Sequence, residues 1–155
     1  MAKEPKKEKK EGELTSLENK WGKEGLSFGW TGVPNILIER QQALGLTPIE
    51  VNILLILMKY WREAGNHPYP SKRTIGEMVG KEESTIRRCM ASLERKGLIQ
   101  RNAHFLSLGG QSSNKYVMDG LVSKLEEEAR GLKKLRESRK TEDASMRRGA
   151  PIPMK

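Results

Sequence analysis

Cysteine and histidine are scarce in this sequence, which argues against several kinds of functional site. The 155 residues include one cysteine, Cys89, and two histidines, His67 and His104. A single cysteine cannot form an intrachain disulfide and is typical of a reducing compartment. No spacing of cysteine, histidine or acidic residues suggests a metal site, and neither a glycine-rich phosphate loop nor a nucleophile turn is present. We therefore expect no enzyme activity, no metal and no cofactor.

Long apolar runs are also absent. The longest, Ile53 to Met58, is far shorter than the ~20 residues that span a bilayer. The first twenty residues are rich in lysine and glutamate and have no apolar stretch of the kind found in secretory signals. The sequence therefore predicts a cytoplasmic protein without a membrane partner.

Positive charge is abundant and unevenly placed. The formal net charge is +9 and the sequence pI is about 9.7. Residues 70–118 carry nine Lys or Arg and four Glu, whereas residues 14–69 carry five of each. A basic region of this kind indicates an anionic partner such as nucleic acid.

The first half of the chain predicts helices around a buried one. Residues 1–13 alternate lysine with glutamate and are expected to be a disordered tail. A helix is predicted from Asn35 to Leu44, and a second from Ile49 to about Ala64, where Gly65 is expected to stop it. Thr47 and Glu50 form a capping box at the start of the second helix. That helix is apolar on nearly all sides, so we expect it to be the core helix.

Flanking segments precede and follow this core, and the last of them is expected to pack on the body or on a second copy. Leu14 to Trp21 is a candidate short helix, and Phe28 and Trp30 are expected to dock on the core because two exposed rings so close together are costly. A last helix is predicted from Leu121 to about Arg139, and residues 140–155 are expected to be a disordered basic tail. The apolar stripe of the last helix comprises Leu121, Val122, Leu125, Ala129, Leu132 and Leu135.

Two short helices and a hairpin are predicted between these flanks. Ser71 is the expected cap of the first helix, and Gly80 permits a sharp turn into the second, which runs from Glu82 or Glu83 to Lys96. The residues expected to face the core are Ile75, Met78, Val79, Ile86, Cys89, Met90 and Leu93.

A β-hairpin follows the second helix. Gly97 is expected to end that helix, and strands are predicted from Leu98 to about Leu106 and from Asn114 to Met118 around a turn at residues 109–113. The fold class is therefore mainly α with a small β-hairpin, a winged helix-turn-helix. The predicted domain, with its N-terminal extension, spans residues 14–120, and the C-terminal helix spans residues 121–139.

Candidate DNA-contacting residues lie on both short helices and on the wing. Outward arginines on the second helix could grip guanine O6 and N7, and the first helix and the wing are better placed for phosphates or a minor groove. The predicted set is Ser71, Lys72, Arg73, Ser84, Thr85, Arg87, Arg88, Arg101, Asn114 and Lys115. His104, Gln111 and Ser112 are further candidates on the wing.

Two features of the second helix also allow a structural interpretation. Arg87 and Arg88 could lie on a solvated face with an i,i+4 partner such as Glu83. Glu82 and Glu83 suit the helix dipole but repel phosphate, and we expect no base contact from Glu82.

Three segments together resemble a known family. They are VPNILIERQQALGLTPIEVNILL at residues 33–55, HPYPSKRTIGEMVG at 67–80 and STIRRCMASLERKGLI at 84–99. Over about residues 28–122 the chain is similar to bacterial helix-turn-helix proteins with a winged-helix fold. These include regulators and the DNA-binding domains of plasmid or phage replication initiators. Lys81 and Glu82 stand where such families have a small apolar residue and then Ser or Thr. The resemblance implies binding to double-stranded DNA.

Three functions are compatible with this pattern. The leading hypothesis is a sequence-specific transcriptional regulator, and a replication or partition factor of a mobile element is close to it. The third hypothesis is a winged helix used as a protein-interaction module. The negative charges of Glu82 and Glu83 favour this hypothesis. Reading two half-sites needs two copies, so a homodimer is expected through the Leu121 to Leu135 helix or the N-terminal segment.

Overall fold

The computed structural model describes residues 15–110 and 112–149, and the chain divides into two compact units. The first unit, Met1–Gly32, contains the described helices α1 (residues 15–21) and α2 (Lys23–Leu26). Trp21, Phe28 and Trp30 are exposed, so the prediction that Phe28 and Trp30 dock on the core is wrong. Two helices this short enclose no buried residue among those described, and the rings have no core to enter.

The second unit, Val33–Lys155, holds the remaining described elements. In chain order they are α3 (Asn35–Glu39), α4 (Pro48–Tyr60), α5 (Lys72–Val79), α6 (Glu83–Arg95), β1 (Gln100–Asn102), β2 (Lys115–Val117) and α7 (Asp119–Arg147).

Helices α3 and α4 are shorter than predicted. After α3 ends at Glu39 the chain continues in turns to Gly45, whose φ of 65° permits the exit. Helix α4 ends at Tyr60, because Trp61 leaves the helical region at φ −91° and ψ 88°. The Trp61 indole N–H donates to the Ala64 carbonyl at 3.4 Å, which closes a turn beyond the helix. Gly65 therefore does not stop α4.

The capping box at the start of α4 is confirmed. The Thr47 hydroxyl accepts a hydrogen bond from the Glu50 amide at 3.3 Å, and the Glu50 carboxylate accepts one from the Thr47 amide at 2.8 Å. These bonds satisfy two amides that the helix itself leaves without partners.

One apolar cluster holds the second unit together. Helix α4 contributes three fully buried residues to it, which confirms its predicted central place. The cluster comprises Leu37, Ile53, Leu54, Leu57, Ile75, Ile86, Met90, Leu93, Leu98, Ile99, Tyr116, Met118, Leu121 and Leu125.

Several residues predicted to face the core lie outside it. Met78, predicted to face the core from α5, is exposed, and so are Val122, Ala129 and Leu135 of the apolar stripe predicted on the last helix. Cys89 is half-buried against the core rather than within it. Burial and the nearby Glu50 carboxylate raise the pKa of the Cys89 thiol, which makes it a poor nucleophile at neutral pH.

The hairpin consists of two short paired strands, and a third backbone segment lies beside the second strand. β1 and β2 are antiparallel with Arg101 opposite Tyr116, and both are shorter than predicted. The Tyr116 amide donates to the Pro68 carbonyl at 2.9 Å, so the connector before α5 lies beside β2. Three helices of the helix-turn-helix core followed by this hairpin form a winged helix-turn-helix, which confirms the predicted fold class.

Helix α7 is longer than predicted and begins against the end of α6. It runs to Arg147, so residues 140–147 are helical rather than disordered. A Cβ on Gly120 would collide with the Gly97 carbonyl oxygen, which shows how closely the backbones approach there. Ion pairs of Arg40 with Glu128 at 2.6 Å and of Glu39 with Arg136 at 3.7 Å join α7 to α3 and to the residue after it. The predicted tails at residues 1–13 and 150–155 lie outside the described residues.

Candidate nucleic-acid interface

A serine caps the start of α5, and two glycines set the turn from α5 into α6. The Ser71 hydroxyl accepts from the Thr74 amide at 3.0 Å, which confirms the predicted cap of α5. Gly80 ends α5 in the left-handed region at φ 71°. The Lys81 amide then donates to the Gly76 carbonyl at 3.0 Å.

Gly76 is a structural requirement of this turn that the sequence analysis missed. A Cβ at this position would lie 2.5 Å from the Lys81 carbonyl oxygen, a distance that real side chains do not tolerate. A glycine in the interior of an otherwise regular helical pattern is the signal that points to such close backbone approach.

Helix α6 buries one side and exposes the predicted reading residues on the other. Ile86, Met90 and Leu93 face the core, whereas Ser84, Arg87 and Arg88 are exposed and Thr85 is half-buried. Glu82 occupies the N-cap position, and its side chain makes no capping hydrogen bond.

Both arginines on this face already have neighbours on the same helix. Arg87 pairs with Glu83 at 3.2 Å, and both side chains are more than half exposed. Arg88 donates to the Thr85 hydroxyl at 3.4 Å. An exposed i,i+4 pair contributes only about 0.3–0.5 kcal/mol, so DNA phosphates or base edges can compete for the Arg87 guanidinium.

An open groove brings the start of α5 together with the wing. Polar side chains from both elements and from the start of α6 line it, with the buried Tyr116 at its base. Its lining residues are Ser71, Lys72, Arg73, Glu83, Ser112, Ser113, Asn114 and Tyr116. Four of the ten predicted contact residues therefore share this groove, and the other six lie outside its lining.

Two lysines beside this face carry charge that no carboxylate neutralises. Within residues 15–110 and 112–149, neither Lys72 nor Lys115 forms an ion pair. Arg73 in contrast pairs with Glu77 at 3.0 Å across two exposed side chains. The free ammonium groups are suited to phosphate.

Arg101 is held in place by Glu94. Its Nε lies 2.6 Å from the Glu94 carboxylate, and its backbone amide donates to the same group at 3.0 Å. These two hydrogen bonds keep the pKa of Glu94 below its ordinary value. The ion pair is mostly shielded from solvent and fixes the start of the wing to the last turn of α6.

His104 on the wing packs against Tyr69 instead of pointing freely outward. The two ring centroids are 5.5 Å apart, and the His104 Nδ1 is buried without a hydrogen-bond partner among the described residues. Gln111, another candidate on the wing, lies outside the described residues.

The described residues provide neither a metal site nor a membrane-spanning helix. No group of three or more His, Cys, Asp or Glu side chains in the described part of the chain is placed to hold a metal ion. None of the helices described, α7 included, is long and apolar enough to cross a membrane.

Comparison with known proteins agrees with this geometry. Residues 44–99 match the family model described as a helix-turn-helix domain, a span that includes α4, α5 and α6 and ends before β1. The chain contains a winged helix-turn-helix domain. The resemblance inferred from the residues is thereby confirmed, and a domain of this type supports DNA binding.

One solved structure shows a similar fold. The N-terminal domain of DnaD protein from Geobacillus kaustophilus HTA426 has a TM-score of 0.55 at 23% identity, covering 74% of this chain and 93% of that one. A possible transcriptional regulator from Methanosarcina mazei Go1 has a TM-score of 0.45 at 15% identity, covering 70% and 85%. No curated protein matches the chain.

Proposed function

We propose that the chain is a sequence-specific double-stranded DNA-binding protein that regulates transcription. The observation that carries the proposal is the outward face of α6. Its buried stripe of Ile86, Met90 and Leu93 turns Ser84, Arg87 and Arg88 to solvent. A helix of this kind fits the major groove and can present arginine to guanine.

The remaining predicted residues take positioning roles in this proposal. Lys72 and Lys115 contact phosphates, because neither has an intramolecular carboxylate partner among the described residues. Ser71, Arg73 and Asn114 lie in or beside the groove that phosphates would follow. Arg101 is already bound by Glu94 and acts mainly by holding the wing.

The carboxylates at the start of α6 are compatible with this function. Glu83 is engaged by Arg87, which reduces its repulsion of phosphate. Glu82 lies at the helix N-terminus, where a negative charge stabilises the helix dipole. A protein-interaction module remains the competing proposal. It predicts that the chain binds a protein partner and that neither DNA nor salt changes this binding.

Selection of bound fragments from random duplexes tests the proposal. The full chain should enrich one sequence, and raising the salt concentration should weaken binding to both selected and random DNA. Enrichment of no sequence over random DNA would contradict specificity. Absence of DNA binding at low salt would favour the protein-interaction module.

Substitutions separate reading residues from phosphate contacts. Arg87→Ala and Arg88→Ala should each reduce the preference for the selected sequence by about 1–3 kcal/mol. Lys72→Ala should weaken binding to all duplexes equally and lower the salt slope by about one. Arg139→Ala, on an exposed part of α7, is the matched control and should change neither. Equal losses on selected and random duplexes for Arg87→Ala and Arg88→Ala would refute the base contacts.

We further propose that two copies associate through exposed apolar residues of α7. Val122 and Leu135 are exposed there and lack an apolar partner in the core. Removing α7 would not test this, because Leu121 and Leu125 belong to the core. Sedimentation of Leu135→Lys should instead give half the mass of the wild-type assembly, and an unchanged mass would exclude Leu135 from the contact.

A further inference from the structure

The tip of the wing exposes an apolar patch that direct phosphate and base contacts leave unexplained. Phe105 and Leu106 expose 66% and 55% of their surfaces, and Leu108 is fully exposed. Three large apolar side chains within four residues form a patch that water disfavours. Such patches mark interaction sites.

Backbone hydrogen bonds give this tip a defined shape. The Leu106 amide donates to the Gly110 carbonyl at 3.1 Å, and the Gly109 amide donates to the Leu106 carbonyl at 3.0 Å. At the base of the tip, the Ser112 amide donates to the His104 carbonyl at 2.8 Å. The turn is therefore held by its backbone while its apolar side chains have no packing partner in the core.

The surroundings of the tip suit a polyanion. Residues 97–118 contain no aspartate or glutamate; Arg101 in this stretch is paired with Glu94, and Lys115 forms no ion pair among the described residues. The strand side of the tip is continuous with the candidate DNA groove, because residues 112–114 line that groove together with Lys72 and Arg73. An apolar tip without carboxylates, next to the candidate DNA groove and its lysines, fits a duplex better than another protein surface.

We propose that the wing tip is an apolar wedge that inserts Phe105 and Leu108 between base pairs of the bound duplex and bends it. The inference rests on the proposed DNA-binding function. Apolar side chains inserted from the minor groove unstack a base step and kink DNA, and their burial offsets the unstacking. Because pyrimidine–purine steps deform most easily, the tip adds sequence preference at a step that no hydrogen bond reads.

Fluorescence energy transfer between dyes at the two ends of a duplex of about 30 base pairs tests the wedge. The duplex is the selected sequence, and the full chain is used. Wild-type protein should raise the transfer efficiency on binding, because a kink shortens the end-to-end distance. The double variant Phe105→Ser/Leu108→Ser should bind about tenfold more weakly and no longer raise it. Met146→Ser, at an exposed apolar residue of α7, is the control and should bend DNA like the wild type.

Several outcomes would overturn the wedge, and they are distinguishable from failure of DNA binding. Selected DNA that binds without a rise in transfer refutes the wedge and leaves the proposed function intact. A double variant that bends DNA as the wild type does also refutes it. If the double variant sediments as a monomer where the wild type is a dimer, the patch contacts a second copy instead. If the wild type leaves DNA unbent but binds phosphatidylserine vesicles, and the double variant does not bind them, the patch contacts a lipid surface instead. If the wild type binds no duplex, both proposals fail.

Discussion

Replacing Lys96 by methionine should destabilise the fold through one buried carboxylate. Glu50 is 2% exposed, and its carboxylate accepts hydrogen bonds from Lys96 Nζ at 2.6 Å and from the Thr47 amide at 2.8 Å. Lys96 Nζ also donates to the Gly45 carbonyl at 2.6 Å. Without the Lys96 ammonium, the buried Glu50 carboxylate loses its ion-pair partner. The start of α4 is then no longer bonded to the end of α6.

The size of the effect follows from burial. Removing one partner of a buried ion pair costs about 3–5 kcal/mol. The Lys96 side chain is 29% exposed, so water partly replaces it, and we expect a loss of about 2–3 kcal/mol at neutral pH. The assay is urea unfolding of the full chain followed by far-ultraviolet circular dichroism. Lys133→Met, an exposed lysine on α7, is the control and should cost less than about 0.5 kcal/mol.

The pH dependence checks the cause. In the wild type, burial alone would raise the pKa of Glu50, but hydrogen bonds from Lys96, Ser92 and Thr47 hold it below its ordinary value. Glu50 therefore stabilises the fold above its unfolded pKa, and that contribution is lost as the pH falls through its folded pKa. In the variant the pKa rises, so protonation relieves the buried charge. The difference in free energy of unfolding between wild type and variant should become smaller as the pH falls from about 7 to about 4. A gap independent of pH, or one below about 0.5 kcal/mol, would refute the reasoning.

Two further substitutions test the start of α5 and the turn that follows it. Gly76→Ala should lower the free energy of unfolding by about 1–3 kcal/mol, because its Cβ would meet the Lys81 carbonyl; Gly131→Ala, with open space around it, should raise that free energy by up to about 1 kcal/mol. Thermal unfolding measures both, and equal shifts would contradict the close approach. Ser71→Ala should cost about 1 kcal/mol in urea unfolding by removing the cap of α5, whereas Ser71→Asp should retain most of the stability.

Local sequence signals predicted most of the helix-turn-helix correctly. The Thr47 and Glu50 box, the Ser71 cap and Gly80 each act within a few residues, so their chemistry is visible in the sequence alone. The buried stripe of α6 follows from helical spacing in the same way. Such signals fix where a helix begins and which side it buries.

Tertiary contacts explain what the sequence did not reveal. Spacing predicts one apolar stripe that includes Val122, Leu125 and Leu135, but of that stripe only Leu121 and Leu125 belong to the core. The sequence also does not show that Glu94 binds Arg101. Both outcomes depend on which elements pack together, and periodicity within one segment does not contain that information.

Helix α6 supports the fold with one side and carries the proposed reading residues on the other, so we expect substitutions on the two sides to have different effects. Its inner side carries Met90 and Leu93, and Glu94 and Lys96 at its end anchor the wing and α4. Its outer side carries Ser84 and Arg87 and contributes only weak surface pairs to stability. Changes on the outer side should therefore alter which DNA is bound at nearly constant stability. Changes at Glu94 or Lys96 should reduce affinity for all duplexes, because they displace the wing or loosen the fold rather than remove a base contact.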